Sequence, residues 1–521
     1  MEGYKMLRVV KTENGFVRGI PAADPRYTAF KGIPFAAPPV GENRWRAPQP
    51  AANWDGVRDC FQFAPISVQD TPGLGTDIYC REWHVDPEIP MDEDCLYLNV
   101  WTGAKSADEK LPVVVWFFGG GFQWGYPAEM EFDGERVARR GVVVVSVNYR
   151  LNVFGFMAHP ELTAKQSDAP TNFGLLDQQA GLKWVQRNIA AFGGDPEKVT
   201  IAGQSAGGGS VMAQVTCPGN VGLFRGAIVQ SGLISSPYDD GGFGNEPLES
   251  AEKNGEGFLK FLGVSSIDEA RKIDAKTLLA KYGEYVPGLM LGATEGPHRM
   301  FPVADMKFCF GNSMKLFMEG KHVPVAMMAG NTGDEFPSAI YANSKEEFEE
   351  KARAWFGDKA EEFFKFPEAQ VVGGMGGKGY APISGIECAV KSVALKAQEH
   401  NDGPVYYYRF EPDIPGWDNP GTFHSVELWF FFETLAKCWR PFVGRHYDLA
   451  RQMCDYWCNF IKTGDPNGMG TDGNELPKWL PYTKEGRDGM SFQSTGATPQ
   501  HGETEFMRFL VDKKIEVMTQ N

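Results

Sequence analysis

The sequence predicts an α/β protein with a mainly parallel central sheet and helices on both faces, and two patterns carry this prediction. Short apolar runs rich in β-branched residues, at 111–118 and 141–147, are typical of strands buried on both faces. Helical spacing of apolar residues follows at 172–189. Strands that alternate with helices favour parallel pairing through right-handed crossovers.

The remaining elements follow in chain order. A short strand is predicted at 199–202, and a helix of small residues at 206–215 begins shortly after it. Three more apolar runs predict strands at 226–229, 323–329 and 404–410.

Two long stretches interrupt this alternation. The stretch 235–322 is mixed and rich in Gly, Pro and charged residues, whereas the stretch 344–401 has a strongly helical pattern. Insertions of this size between core strands are expected to form helical caps over one edge of the sheet. We therefore expect one domain over residues 1–521 with two cap insertions.

The charge balance excludes several classes of partner. The chain has 67 acidic and 51 basic residues, which gives a net charge of −16. An acidic surface repels phosphate backbones and anionic lipids, so nucleic acid and membrane surfaces are not expected as partners. The mean hydropathy is −0.32, and no apolar run approaches the roughly 18 residues of a spanning helix. The oligomeric state stays open.

The cysteines and the N-terminal residues favour a reducing compartment. Nine cysteines are scattered along the chain, and no CxxC pair of the zinc-binding type occurs. The first residues contain no apolar signal segment, and no Asn-x-Ser/Thr sequon is present. We therefore expect a cytoplasmic protein with free thiols.

A glycine-rich stretch, Gly374-Met-Gly376-Gly-Lys-Gly379, matches the GxGxxG pattern of dinucleotide sites. Such a site needs a strand before the glycines and a helix after them. No clear βαβ unit surrounds this stretch, and Ala381-Pro382 stands where the helix should begin. We predict a loop here, and we expect neither an organic cofactor nor a metal ion.

The strongest functional signal is a serine between glycines, in Gly203-Gln-Ser205-Ala-Gly207. It follows the strand at 199–202 and precedes the helix at 206–215. A tight strand-to-helix turn strains the backbone of the serine, and glycine on both sides leaves room for the turn. The turn exposes the Ser205 hydroxyl as a nucleophile. It also puts the Ala206 amide at a helix N-terminus, where a developing oxyanion is stabilised.

An acid and then a base should follow such a serine along the chain. Among the eight histidines, His424 is the best placed, because it lies in a loop after the strand at 404–410. Asp334 and Glu335 both follow the strand at 323–329. Either carboxylate could accept the imidazole N–H and stabilise the imidazolium, and spacing alone does not separate them.

A second set of oxyanion donors is expected from a glycine-rich loop after an earlier strand. The sequence Phe118-Gly-Gly120-Gly121-Phe122 directly follows the strand at 111–118. Consecutive glycines allow backbone N–H groups to point into a site without Cβ atoms in the way. Removal of one such donor typically costs about 3 kcal/mol of transition-state stabilisation.

Several motifs in order identify the chain as a member of a known family. They include Phe30-Lys-Gly-Ile-Pro-Phe, Glu93-Asp-Cys95-Leu-Tyr-Leu-Asn99, the segment from Phe192-Gly-Gly-Asp-Pro to Ser205-Ala-Gly-Gly, and Trp457-Cys-Asn-Phe-Ile-Lys-Thr-Gly-Asp-Pro-Asn467. Over nearly its whole length the chain resembles the type-B carboxylesterase/lipase family, the branch of the α/β-hydrolases that includes the cholinesterases. The resemblance implies the α/β-hydrolase fold.

The same resemblance implies roles for individual residues. Ser205 is the nucleophile, His424 the base and Glu335 the acid, since the acid of this family is the Glu of a Asp-Glu pair. The implied oxyanion donors are Gly120, Gly121 and Ala206. Around these residues, the resemblance implies supporting positions for Gln204, Ser231 and Glu427, which would hold the reactive side chains in place.

Two departures from the family pattern refine these expectations. The first family disulfide needs a Cys where this chain has Ser67, so Cys95 lacks its family partner unless Cys60 or Cys80 replaces it. Cholinesterases are similar to one another in carrying Glu before the nucleophile, where this chain has Gln204. The loss of this negative charge disfavours choline esters.

The expected activity is hydrolysis of a small-molecule ester by acyl transfer, with no cofactor. Aromatic residues near the motifs (Phe118, Phe122, Trp124, Phe301, Phe336 and Phe423) predict an apolar site for small to medium acyl or aryl esters, including hydroxycinnamates. Two alternatives remain. The same triad would serve an amidase, a carbamate hydrolase or a thioesterase, and the same fold resembles non-catalytic adhesion proteins.

Overall fold

A mixed sheet of eleven strands is the central feature of the computed structural model, which describes residues 6–242, 244–286, 296–373, 378–400 and 403–519. In chain order the strands of the described residues are β1 Val9–Lys11, β2 Phe16–Arg18, β3 Ile20–Pro21, β4 Thr28–Pro34, β5 Val57–Asp59, β6 Tyr97–Thr102, β7 Leu111–Phe117, β8 Val143–Val147, β9 Gly194–Gln204, β10 Gly226–Gln230, β11 Ala326–Thr332, β12 Pro337–Tyr341, β13 Val372–Gly373, β14 Gly379–Ser384, β15 Val405–Phe410, β16 Gly489–Gln493 and β17 Gly496–Gln500.

The central sheet has the order β17-β16-β15-β11-β10-β9-β7-β8-β6-β4-β3. Its middle strands, from β16 to β8, pair in parallel. Antiparallel pairs complete both sides, with β17 on one side and β6, β4 and β3 on the other. Two small sheets, β1-β2-β5 and β12-β14-β13, lie outside it.

The helices of the described residues are α1 Tyr79–Glu82, α2 Glu135–Ala138, α3 Asn152–Phe156, α4 Pro160–Lys165, α5 Phe173–Asn188, α6 Ala206–Val215, α7 Leu248–Leu262, α8 Ile267–Ala270, α9 Ala275–Tyr285, α10 Ser313–Met318, α11 Lys345–Phe356, α12 Ala360–Phe363, α13 Gly385–Glu399, α14 Leu428–Phe431, α15 Gly444–Thr463 and α16 Glu505–Thr519. None of them is both long and apolar enough to cross a membrane.

Both faces of the sheet are buried, which explains the unbroken apolar runs in the sequence. Val113 and Val115 of β7 face a core layer that contains α5, whereas Val114 and Trp116 face the opposite layer, which contains α15. Side chains alternate between the two faces of a strand, so a strand covered on both sides has no polar face. The prediction of an α/β fold with a mainly parallel sheet is confirmed.

Two strands extend further than their apolar runs indicate. The strand predicted at 199–202 covers Gly194–Gln204, because its ladder with β7 runs from Gly194 to Gly203 and its ladder with β10 continues to Gln204. The strand predicted at 323–329 lies at Ala326–Thr332. It pairs with β15 up to Thr332, whereas the amide of Val323 donates instead to the carbonyl of Val215.

The segment 344–401 differs from a purely helical cap. Its middle part contributes β13 and β14 to a small sheet, and its last helix, α13, packs against β11 and β15 of the central sheet. Nearly every residue of α13 from Ile386 to Ala397 is buried, so this helix belongs to the layer that covers the sheet. The segment 235–322 carries α7 to α10. Four residues of the glycine-rich loop predicted at 374–379 (374–377) lie outside the described residues.

Candidate active site

Ser205 sits on a strained turn between β9 and α6. Its backbone angles are φ 55° and ψ −123°, a region that a residue with a side chain adopts only under constraint. The turn fits only because its neighbours are glycines. A Cβ atom on Gly203 would lie 2.3 Å from the carbonyl oxygen of Gly207, and one on Gly207 would lie 2.1 Å from that of Phe117. Ser205 itself remains partly exposed.

His424 and Glu335 meet at the same edge of the sheet. The turn after β11 carries Glu335, and the loop after β15 carries His424. The Nδ1 atom of His424 lies 2.5 Å from Oε2 of Glu335. The other carboxylate oxygen of Glu335 accepts hydrogen bonds from the hydroxyl of Ser231, at 2.5 Å, and from the amide of Thr332, at 3.0 Å. Both members of the pair are buried.

The pair is polarised by its surroundings. Burial by itself would lower the pKa of His424, but the negative charge and the hydrogen bond of Glu335 raise the pKa above its ordinary value. Burial would likewise raise the pKa of Glu335, yet contacts with His424, Ser231 and Thr332 hold that pKa below its ordinary value. The arrangement therefore favours an ionised carboxylate beside an imidazole with enhanced basicity.

Asp334 has a different position from that of Glu335. Its Oδ2 atom accepts hydrogen bonds from the amide of Thr422, at 2.7 Å, and from the hydroxyl of Thr422, at 2.9 Å. Its amide donates to the carbonyl of Thr422 at 3.1 Å. Asp334 thus fastens the turn after β11 to the loop that carries His424, two residues before the imidazole. Of the two carboxylates that the sequence left open, Glu335 contacts the imidazole and Asp334 contacts Thr422.

The Nε2 atom of His424 lies close to the turn that carries Ser205. It lies 3.3 Å from the side-chain amide nitrogen of Gln204, the residue before Ser205. Among the described side chains, the Ser205 hydroxyl forms no hydrogen bond with His424. Catalytic hydrogen bonds are often long or poorly aligned before substrate binds. The side chain of Gln204 is a neutral amide, so it adds no charge next to His424.

The glycine loop after β7 lies against the same turn. A Cβ atom on Gly119 would be 2.6 Å from the carbonyl oxygen of Gln204 and 3.1 Å from Cβ of Ser205. Gly120 and Gly121 have φ values of 114° and 61°, which favour glycine. Ala206 begins α6 directly after Ser205. The glycine loop thus touches the serine turn at Gly119, and the predicted oxyanion donors Gly120 and Gly121 follow it directly in the chain.

Glu427 lies behind this region and is fully buried. Neither of its carboxylate oxygens has a hydrogen-bond partner among the described residues. Burial raises the pKa of Glu427 to about 8, and the negative charge of Glu335 acts in the same direction. A carboxyl with this pKa is mostly protonated at neutral pH, and the negative charge that it carries when ionised raises the pKa of His424.

Two of the predicted aromatic residues, Phe336 and Phe423, lie at or next to His424. The ring of Phe336 is 58% exposed and its centroid lies 4.9 Å from that of His424. Phe423 packs against Trp83 and Tyr79. By contrast, Phe118 and Phe122 are fully buried and belong to the core.

Sequence patterns gave no signal for Tyr79, whose hydroxyl donates to the carbonyl of His424 at 3.3 Å. Nor did they indicate the contact of Gln123, which directly follows the glycine loop and whose side-chain Nε2 donates to the carbonyl of Met300 at 2.9 Å. Both contacts join residues far apart in the chain, so only the tertiary structure reveals them.

Ser67 occupies the place opposite Cys95 where the family pattern predicts a second cysteine. Its hydroxyl donates to the carbonyl of Tyr149 at 2.6 Å, and it also contacts the Cys95 thiol. Burial raises the pKa of that thiol to about 12. All nine cysteines are free, Cys60 and Cys80 included.

Comparisons with known proteins show what the chain as a whole is similar to. The para-nitrobenzyl esterase of Bacillus subtilis (strain 168) is 31% identical to this chain, over 98% of the chain and 99% of the relative. The cholinesterase of Mus musculus is 30% identical, over 91% of this chain and 81% of its own. The crystal structure of the Geobacillus stearothermophilus carboxylesterase EST55 at pH 6.2 superposes with a TM-score of 0.73 at 30% identity, over 96% of this chain and 99% of that one.

The family model described as the carboxylesterase family matches residues 7–369 and 383–510. The match includes the nucleophile turn, the glycine loop and the loops that carry Glu335 and His424. This match, and the similarity to named esterases over nearly the full length of the chain, show that the chain belongs to the carboxylesterase family.

Proposed function

We propose that this protein hydrolyses small to medium apolar or aryl esters by acyl transfer through Ser205, with His424 as the general base and Glu335 as the acid that orients it. One observation above all supports the proposal. The strained and partly exposed turn at Ser205 lies beside the imidazole of His424. The Nδ1 atom of that imidazole lies 2.5 Å from the buried carboxylate of Glu335. Such an arrangement serves nucleophilic catalysis.

In the first half of the reaction, Nε2 of His424 accepts the proton of the Ser205 hydroxyl while the oxygen attacks the ester carbonyl. Glu335 accepts the Nδ1–H hydrogen bond and stabilises the imidazolium that forms. The carbonyl oxygen becomes an oxyanion, and the amides of Gly120, Gly121 and Ala206 stabilise it. The imidazolium then donates its proton to the departing alcohol, which leaves an acyl group on Ser205.

The second half repeats these steps with water. His424 removes a proton from a water molecule, which attacks the acyl carbonyl at the same oxyanion site. Collapse of this second tetrahedral intermediate breaks the bond to Ser205, and His424 returns the proton to the serine oxygen. The chain's own groups suffice for every proton transfer in this sequence.

Charge and aromatic surface support the proposed substrate class. Gln204 is neutral where a carboxylate would attract a quaternary ammonium, so choline esters are disfavoured. The exposed ring of Phe336 offers a stacking surface beside His424. The Bacillus relative is named for a para-nitrobenzyl ester, which agrees with an aryl-tolerant site. Hydroxycinnamate esters belong to the same proposed class.

The test is a panel of nitrophenyl esters from acetyl to long acyl chains, together with methyl hydroxycinnamates and a choline ester. We expect turnover of short to medium or aryl esters, with the choline ester a poor substrate. Ser205→Ala should abolish the activity and leave the fold intact.

Ser210→Ala is a matched control, because Ser210 lies on the same helix and its hydroxyl donates to the carbonyl of Ala206 rather than to substrate. We expect this variant to retain activity. Absence of turnover of every ester by the unmodified enzyme would overturn the proposed function. Equal turnover of unrelated ester classes would overturn the proposed specificity.

A further inference from the structure

Gln123 joins the glycine loop to the segment 235–322 through a closed ring of hydrogen bonds. Its side-chain Nε2 donates to the carbonyl of Met300 at 2.9 Å. The hydroxyl of Tyr282 donates to Oε1 of Gln123 at 3.2 Å and accepts from the amide of Met300 at 2.7 Å. Gln123 and Tyr282 are each only 1% exposed.

The ring has a single consistent arrangement of donors and acceptors. If the amide of Gln123 were turned over, its oxygen would face the Met300 carbonyl and its NH₂ group would face the donating hydroxyl of Tyr282. The first contact would be repulsive, and the hydroxyl of Tyr282 would lose the acceptor to which it now donates. Because the ring is buried, no water replaces these bonds, and each of them is costly to lose.

The glycine loop needs such restraint because its backbone is strained. Gly120, Gly121 and Phe122 follow one another with φ values of 114°, 61° and 58°. The value at Phe122 is unusual for a residue with a side chain and is unfavourable in free energy. Such a conformation persists only where surrounding contacts determine it.

Most restraints on the loop come from the core of the protein. The hydroxyl of Tyr149 donates to the carbonyl of Phe118 at 2.7 Å, and the amide of Asn152 donates to the carbonyl of Phe122 at 2.7 Å. Gln69 binds the amide of Gly125 at 2.8 Å and its carbonyl at 3.0 Å. The Gln123 ring differs from these, since its partners lie in the segment 235–322.

The backbone of Gln123 extends this connection to the predicted oxyanion donors. Its amide donates to the carbonyl of Gly120 at 3.0 Å. That carbonyl and the N–H of Gly121 belong to one planar peptide unit and point in opposite directions. Whatever fixes the Gly120 oxygen therefore also fixes the direction of the Gly121 N–H.

We infer that Gln123 is a positioning residue, which couples the placement of α9 and Met300 to the orientation of the Gly121 amide and so to stabilisation of the oxyanion. This inference rests on the proposed ester hydrolysis. If the inference holds, the segment 235–322 affects the orientation of an oxyanion donor although it does not touch the reacting atoms. A shift of about 1 Å in a catalytic group can cost 100-fold in rate.

Two variants test the inference separately. Gln123→Met keeps the length of the side chain and removes both of its hydrogen bonds, and Tyr282→Phe removes only the hydroxyl. Tyr456→Phe is the matched control, because the hydroxyl of Tyr456 donates to a backbone carbonyl, that of Pro477, at 2.6 Å elsewhere in the core. The substrate is nitrophenyl acetate, whose acyl group is too small to report on an acyl pocket.

We expect kcat to fall roughly tenfold to 100-fold in both variants, with little change in KM. The affinity for a trifluoromethyl ketone, whose hemiketal with Ser205 carries an oxyanion, should fall by a similar factor. The double variant should lose no more than the larger single loss, because both changes break one ring. Tyr456→Phe should lose thermal stability and keep kcat.

Three results would overturn the inference. They are an unchanged kcat in a folded Tyr282→Phe variant, a change confined to KM, or a loss of kcat in Tyr456→Phe as large as that in Tyr282→Phe. If Gln123→Met fails to fold, Tyr282→Phe still decides the matter. Failure of the proposed function is distinguishable, because the unmodified enzyme would then turn over no ester.

Discussion

The ionisation of His424 sets the lowest pH at which the proposed reaction can start. A general base must be neutral, and the contact with Glu335 raises the pKa of the imidazole despite its burial. A raised pKa keeps the imidazole protonated to a higher pH. We therefore expect the acidic limb of kcat/KM to have its midpoint above about 6.5, the ordinary value for histidine.

The matched variant for this prediction is Glu335→Gln, which keeps the shape of the side chain and removes its charge. Its residual activity should show a midpoint at lower pH than that of the unmodified enzyme, since less negative charge stabilises the imidazolium. A pH profile of kcat/KM on one nitrophenyl ester measures both. An unmodified enzyme with its midpoint at or below 6.5 would contradict the expected direction.

The neighbouring carboxylates Asp334 and Glu335 should differ sharply when each is changed to its amide. Glu335→Gln should lower kcat by roughly 10³- to 10⁴-fold, because the imidazole loses its preferred tautomer. Asp334→Asn should stay within about tenfold, since its side-chain oxygen can still accept from Thr422. Steady-state kinetics of both variants check this, and equal losses would mean that the two roles are wrongly assigned.

The sequence could not separate these two carboxylates because they are adjacent on a tight turn. Adjacent side chains on such a turn point in different directions, and only the path of the loop 421–424 decides which of them meets the imidazole. Here that loop is bonded to Asp334 through Thr422, and this contact leaves His424 facing Glu335. Both residues are carboxylates and both follow the same strand, so neither residue type nor position in the sequence distinguishes them.

Among the elements, the glycine loop after β7 depends most on backbone conformation. A Cβ atom on Gly120 would lie 2.2 Å from the carbonyl oxygen of Trp124, so the loop would have to move. Gly120→Ala should therefore lower kcat on nitrophenyl acetate by about tenfold or more. Trifluoromethyl ketone affinity gives a second measurement of the same site.

Gly141→Ala is the matched control for Gly120→Ala, because it introduces backbone strain without displacing the glycine loop. Gly141 also has a positive φ, 76°, but a Cβ atom there would have no neighbour within 4 Å. This variant should lose about 1–2 kcal/mol of stability and keep its kcat. If Gly141→Ala were as inactive as Gly120→Ala, a general loss of stability rather than loop geometry would explain both.

Strand ends show where apolar patterning stops being informative. The sequence indicated the apolar middle of β9 and β11 and missed their polar ends, which include Gln204, Asn331 and Thr332. Hydrogen bonds to a neighbouring strand hold these ends, and such bonds do not depend on side-chain polarity. The candidate site lies directly after these strand ends, where polar side chains are no longer covered on both faces of the sheet.

For the whole molecule, nine free cysteines predict a stability that does not depend on disulfides. The melting temperature and the esterase activity should be the same with and without a reducing agent. A thiol reagent should detect nine thiols in the denatured protein and at most about two before denaturation. The two are Cys80 and Cys438, since the other seven are buried. A melting temperature that falls on reduction would contradict this prediction.

The proposed location in the cytoplasm stays a prediction, because free thiols occur in proteins of more than one cellular compartment. The division into one domain with two caps also stays a prediction. The structure adds that α13, from the second of these stretches, packs on the central sheet. The apolar residues of this helix interleave with small and polar ones, and its sequence alone does not reveal which surface covers it.

The sequence by itself determined the six middle strands from β7 to β15, the helices α5 and α6, the fold class and the residue types of the site. These follow from local patterns: apolar runs where a sheet is covered on both faces, and glycines where the turn at Ser205 leaves no room for a Cβ atom. The tertiary structure alone decided which groups meet. The contact of His424 with Glu335, the bonds of Asp334 with Thr422 and the bonds of Gln123 with Tyr282 and Met300 join residues 88 to 177 positions apart in the chain. Contacts at such separations depend on packing that no local pattern records.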